Sequence, residues 1–135
     1  MNREILFKAK RKDNSEWVEG SYVYCRKRHY ILPVLNKAIG FDEREDEWIE
    51  VNPDTICQFT GLTDKNGKMI WENDILVEKH KGIVTMKYRV VFDLEEGAWM
   101  LETKSGARYG IGAVNQRHFE VCGNIFDNAD LLEVK

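Results

Sequence analysis

Carboxylates and turn formers crowd one stretch of the chain, "FTGLTDKNGKMIWENDILV", residues 59–77. Asp64, Glu72 and Asp74 lie close enough in sequence to suggest a calcium loop or an acid/base pair. A calcium loop of the EF-hand type needs oxygen ligands at positions 1, 3, 5, 7, 9 and 12, with Gly at position 6. Counted from Asp64, Gly67 falls at position 4 and the twelfth residue is Ile75, so the pattern fails at two essential places. Turn chemistry accounts for the same residues better. Asp64 can bond its own backbone, and Asn66 and Gly67 accept positive φ, between an incoming Phe59/Leu62 and an outgoing Met69/Ile70/Trp71. A second bend follows at Glu72–Asn73, with Asn73 suited to the left-handed region. Gly61, Asp64, Asn66, Gly67 and Asp74 are therefore expected to fix backbone geometry. The rival reading is an assembled enzyme site around Asp64, Glu72 and Asp74.

Cys25-x3-His29 and His118-x3-Cys122 each set a thiol and an imidazole four residues apart. On an extended strand that spacing spans about 13 Å, too far for one strand to chelate one zinc ion without a bend. The three cysteines are odd in number and lack CxxC spacing, which argues against a disulfide framework or a zinc ribbon. Free, mostly buried thiols are expected, with no metal and no cofactor.

Neither a GxSxG elbow nor a phosphate-binding glycine loop is present. "KSGARYGIG" (104–112) matches neither the P-loop nor GxGxxG before a helix, and its glycines fit a loop or bulged strand. The segment "CRKRHYIL" (25–32) mixes base and aromatic. Arg26, Lys27, Arg28 and Tyr30 are its candidate contacts to nucleic acid in an SH3-like or OB-like module. Most of the four Trp, five Tyr and six Phe are expected in the core or at its edge.

Period-two alternation supplies the elements that would hold these groups. In "GIVTMKYRVVF" (82–92), Val84, Met86, Tyr88, Val90 and Phe92 fall on one face, the pattern of a long half-buried strand. Strands are also expected over 17–24, 29–35, 74–79, 98–103 and 118–126, punctuated by Asp13-Asn14-Ser15, Asn52-Pro53-Asp54, Asn66-Gly67 and Glu95-Glu96-Gly97. Pro33, which cannot donate to a ladder, predicts an edge strand or a bulge. One short helical turn is expected in "DNADLLEVK", capped by Asp127 or Asn128. Residues 36–47 form the longest expected loop. The sum is a mainly β protein, a small sandwich or barrel.

A length of 135 residues suits one domain, with a possible subdivision into 1–58 and 59–135. The formal charge of −3 divides into −1 for residues 1–58 (10 basic, 11 acidic) and −2 for 59–135 (10 basic, 12 acidic). That balance lacks the basic excess usual in proteins built to neutralise phosphates. The clusters "KAKRK" (8–12) and "RKRH" (26–29) are expected to be solvated loop faces, offset by "DEREDE" (42–47). No apolar run approaches the roughly 18 residues of a membrane span, and the first residues lack a secretory signal, so the cytoplasm is the expected location.

Three blocks carry a family resemblance: "WVEGSYVY", "VNPDTICQFTGLTDKNGKMIWENDILV" and "FEVCGNIFDNADLLEV". In this order they resemble the YopX family of phage and prophage proteins. Gln58, Thr60-Gly61-Leu62, Asp64-Lys65-Asn66-Gly67, Ile70, Glu72 and Asp74-Ile75 match the family's signature in register. Asn73 stands where the family more often has Gly, and Ala129 where Pro is common. The resemblance implies a mainly β fold, an SH3-like part after the signature, and self-association. It brings no catalytic residue to this chain. The leading expectation is a non-enzymatic accessory protein, a homo-oligomeric binding or assembly module with a host or phage protein as its further partner. The alternative is the nucleic-acid module.

Overall fold

The structure, a computed structural model, describes residues 5–33, 48–113 and 118–133. The protein is mainly β, with two antiparallel sheets and one short helix. Two compact units divide the chain between Phe59 and Thr60.

In the first unit, β1 (Phe7–Lys10), β2 (Trp17–Cys25), β3 (Arg28–Pro33), β4 (Ile49–Glu50) and the start of β5 (Cys57–Thr63) run in the order β4-β3-β2-β1-β5. Ala9, Ile31 and Val51 are fully enclosed, with Phe7, Val18, Tyr22 and Ile56 packed against them. Period two explains the set: Phe7 and Ala9 stand opposite Gly20 and Val18, and Tyr22 stands opposite Ile31. Thr55 anchors the turn before β5, accepting from the backbone N–H of Lys10 and donating to the carbonyl of Asn52. Gly20 is required by close approach. A Cβ there would sit 1.9 Å from the Leu32 carbonyl oxygen.

β1 corrects the expectation for "KAKRK". Lys8 to Lys10 form an interior strand, and the ammonium groups of Lys8 and Lys10 lie 4.6 and 5.5 Å from the centre of the Trp17 ring. The flanking lysines hide the strand, because their heads are polar while their stems cover an aromatic face. Pro33 also departs from expectation: β3 lies between β2 and β4, and Pro33 is its last residue, opposite Gly20 and beyond the reach of β4, which pairs with Tyr30 and Ile31. The expected loop at 36–47 and the acidic run at 42–47 lie outside the described residues.

The second unit begins within β5, whose last residues neighbour β6 (Met69–Trp71). β7 (Asp74–His80), β8 (Ile83–Asp93), β9 (Ala98–Glu102), β10 (Arg108–Gly110) and β11 (Phe119–Asn124) form a sheet ordered β10-β9-β8-β7-β11. A 3-10 turn, Ile111–Ala113, precedes the last strand, and α1 spans Asp130–Glu133. Ile70, Leu76, Tyr88, Val90, Leu101, Ile111 and Phe119 make the core. Side chains of this size contribute about 1.5–3 kcal/mol each on burial. Seven of them make this the larger core.

The long strand at β8 is as expected, but its apolar face is enclosed only in the middle. Tyr88 and Val90 are buried, whereas Val84, Met86 and Phe92 are exposed. α1 starts later than the sequence suggests. Asn128 does not cap it through its side chain, whose Oδ1 accepts the N–H of Asn124, while the Asn128 carbonyl accepts from Leu131. Among the described residues no helix is long and apolar enough to cross a membrane.

Candidate functional site

The signature stretch forms a hydrogen-bonded knot inside the second unit. Asp64 is buried between β5 and β6. Its Oδ1 accepts the N–H groups of Asn66 and Lys68 at 2.8 and 2.9 Å, and its Oδ2 accepts that of Val121 on β11 at 2.9 Å. Asp64 N–H donates to the Lys68 carbonyl, and Lys65 N–H donates to the carbonyl of Phe119. Gly61 and Gly67 adopt φ of 87° and 80°, which an L side chain resists. Asn66 reaches Glu120 through Nδ2.

The second bend is tied in the same way. Asn73 has the expected left-handed φ, 70°. Its N–H donates to Val90, its carbonyl accepts from Ile125, and its Oδ1 accepts from Arg89 Nη2 at 3.0 Å. Asp74 is buried and its Oδ2 accepts the N–H of Trp71 at 2.8 Å. These carboxylates face backbone donors, which is bracing chemistry and not the arrangement of an acid/base pair.

Around the knot, Lys79 Nζ and Lys65 Nζ stand 2.7 and 3.3 Å from the Glu120 carboxylate. Hydrogen bonds from Lys79, Lys65 and Asn66 hold its pKa down at about 2. On the other side of β7, burial and a hydrogen bond to Glu78 push the Tyr88 phenol up to about 12.

A different surface gathers the basic residues. β2 and β3 are joined by the two-residue turn Arg26–Lys27, with Cys25 opposite Arg28. Both turn residues have positive φ, 51° and 66°, the type I′ pattern in which Asn-Gly is preferred. Arg28 leaves the turn at the start of β3, and its Nη1 lies 3.8 Å from Glu50 Oε1. Lys12 approaches Glu50 Oε2 at 3.4 Å, brought there by its own N–H bond to the Glu50 carbonyl. A cleft of about 440 Å³ lies among Lys12, Lys27, Arg28, His29 and Glu50. A second, about 230 Å³, adjoins it across Lys12 and Glu50 and includes Trp48.

Arg26, Lys27 and Arg28 are thus brought together, as their sequence adjacency requires. Tyr30 is not at the cleft; its ring packs on that of Trp48, 5.7 Å centre to centre. Lys12 and Trp48 were not recognised from sequence as belonging here, because only the β3–β4 pairing and the Lys12–Glu50 backbone bond bring them in. The aromatics as a whole divide: Trp71, Phe119 and Tyr88 are buried, while Trp48, Tyr24, Tyr109 and Phe92 are exposed.

The cysteines are free, but only Cys57 is buried; Cys25 is intermediate and Cys122 exposed. Cys57 begins the interior strand β5, Cys25 ends β2 at the hairpin turn, and Cys122 sits at the register shift between Val121 and Gly123 of β11. No set of three or more His, Cys, Asp or Glu able to hold a metal occurs among the described residues.

A two-unit, mainly β chain whose signature stretch is a backbone brace defines a class of small β proteins. The YopX protein family matches residues 6–133, and the chain belongs to that family. Among solved structures it is similar to protein EF1440 from Enterococcus faecalis, at 23% identity and a TM-score of 0.57, covering 97% of this chain and 99% of the other. That likeness concerns the fold. No curated protein matches.

Proposed function

We propose that this chain is a phage- or prophage-encoded accessory protein that works in the bacterial cytoplasm as a non-enzymatic assembly module, its first partner being a second copy of itself. One observation carries the reading. β9 pairs only with Arg89–Asp93 of β8, so Ile83–Tyr88 have β7 on one side and no strand on the other among the described residues. Along this edge, where α1 approaches β8 and the Leu131 carbonyl accepts from Lys87 Nζ at 3.0 Å, Ile83, Val84 and Met86 are still 68%, 44% and 41% exposed. An open strand edge with apolar neighbours is a template for pairing with another strand, and the same edge of a second copy is complementary to it.

The strand order β10-β9-β8-β7-β11, with a 3-10 turn before β11, supports an SH3-like description of the second unit. Such barrels act mostly as binding modules, and the bracing roles of Asp64 and Asp74 agree with binding rather than catalysis. Further partners would be host or phage proteins.

Sedimentation velocity at micromolar concentration tests the proposal. The wild type is expected to sediment as a discrete oligomer, and the double variant Val84→Lys/Met86→Lys as a monomer with an unchanged circular dichroism spectrum. A monomeric wild type, or a double variant that still assembles, overturns it.

A further inference from the structure

We propose that the β2–β3 hairpin tip and the paired clefts beside it bind a single-stranded nucleic acid, phosphates on Lys12, Arg26, Lys27 and Arg28 and a base on Trp48. The first unit, residues 1–59, carries ten basic residues against eleven acidic, so any pull on an anion is local and rests on where the cations cluster. Lys12, Lys27 and Arg28 line one cleft, and Arg26 precedes Lys27 in the turn beside it. Among the described residues Glu50 approaches them there, at 3.4 and 3.8 Å from Lys12 and Arg28. Exposed ion pairs of that length are weak, so phosphate oxygens can take over both cations. Glu50 keeps them apart and oriented until then.

The turn itself argues for a use of the charges. Arg26 and Lys27 hold the left-handed conformation in consecutive positions, where Asn and Gly would fit with less strain. Strained residues that persist on an exposed turn point to a function that needs their side chains. A cationic tip serves an anionic partner.

Trp48 supplies the second half of the site. It is 44% exposed, it lines the cleft that shares Lys12 and Glu50 with the basic one, and the Tyr30 ring supports it from the side. An aromatic face beside a basic track is how a strand without base pairing is held, since every base can stack. In a duplex the base faces are already stacked on one another and closed to Trp48. A strand is therefore favoured over a duplex.

Fluorescence anisotropy of a dye-labelled oligothymidylate with the full chain tests the proposal. At ~50 mM salt saturable binding is expected, falling roughly 50-fold by ~200 mM for four phosphate contacts on a single strand. Arg26→Asn/Lys27→Gly is the informative variant, because it relaxes the turn while removing two charges. It should halve the salt slope while the protein melts no lower than wild type. Trp48→Ala should weaken binding about tenfold with little change in salt slope. Glu50→Gln should tighten binding, a gain that a purely structural Glu50 would not give.

Absence of binding at ~50 mM salt overturns the proposal. So does an affinity untouched by the Arg26→Asn/Lys27→Gly change. Equal affinity for duplex DNA with no effect of Trp48→Ala overturns the single-strand assignment, and equal competition by polyglutamate would make an acidic protein surface the target instead.

Discussion

Asp64 Oδ2 accepts the backbone N–H of Val121 at 2.9 Å, although 57 residues separate the two. The same carboxylate closes the β5–β6 turn through Asn66 and Lys68, so one side chain sets a local turn and fastens it to the strand that closes the second sheet. Truncation to Asp64→Ala leaves three backbone donors without their acceptor, at roughly 1–3 kcal/mol for each that water cannot reach. A total loss of about 3–5 kcal/mol is expected in urea denaturation. Asp64→Asn, which keeps one carbonyl acceptor, should lose distinctly less. Equal stability of the alanine variant and the wild type would remove the bracing role.

Gly20 and Gly61 offer a contrast between two reasons for glycine. Gly20 lacks space: a Cβ would meet Leu32 O and C at 1.9 and 2.7 Å, both backbone atoms. Gly61 has space, with nothing within 4 Å, but a φ of 87°. Gly20→Ala must therefore push two paired strands apart and is expected to destabilise by roughly 3 kcal/mol or more. Gly61→Ala carries only the left-handed penalty, about 1–2 kcal/mol. Denaturation midpoints of the two variants, measured side by side, should fall in that order.

Glu120 makes acid stability specific. With its pKa held near 2 by Lys79, Lys65 and Asn66, against an ordinary 4.5, the folded protein binds its proton later than the unfolded chain does. Its contribution is complete above about pH 4.5 and is lost as the pH falls toward about 2. Glu120→Gln should accordingly flatten the stability profile across that window and leave its shape above it unchanged. Because the carboxylate is near the surface, added salt should shrink the difference. Thermal melts at a series of pH values between these limits check both statements.

The β architecture was legible because alternation survives in the strands that matter: β2, β7, β8 and β9 read directly, as do the turn residues Asn66-Gly67 and Asn73. β1 did not, since Lys8 and Lys10 flank a lone buried Ala9 and so resemble a charged loop. The burial limits of β8 were equally hidden. Period two says that Val84 and Tyr88 share a face, but only the point where β9 begins to pair, at Arg89, decides which of them is covered. The basic tip was visible as adjacent residues; its neighbours Lys12 and Trp48 join through pairings 38 and 18 residues away in sequence from Glu50 and Tyr30. Long-range register of that kind leaves no periodic trace in a single sequence.

The Arg26–Lys27 turn gives a prediction independent of any ligand. A left-handed residue other than glycine costs roughly 1–2 kcal/mol, and both central positions carry that burden here. Asn-Gly in their place relieves it, while the added freedom of glycine in the unfolded chain offsets part of the gain. A net stabilisation of about 1 kcal/mol follows, which for a chain of this size corresponds to a melting temperature roughly 3–5 °C higher. Single variants should divide the effect, with Lys27→Gly giving the larger share because glycine removes the Cβ clash outright. A fall in melting temperature would mean that the Arg26 and Lys27 side chains stabilise the hairpin through contacts of their own, and that the strain has a structural origin.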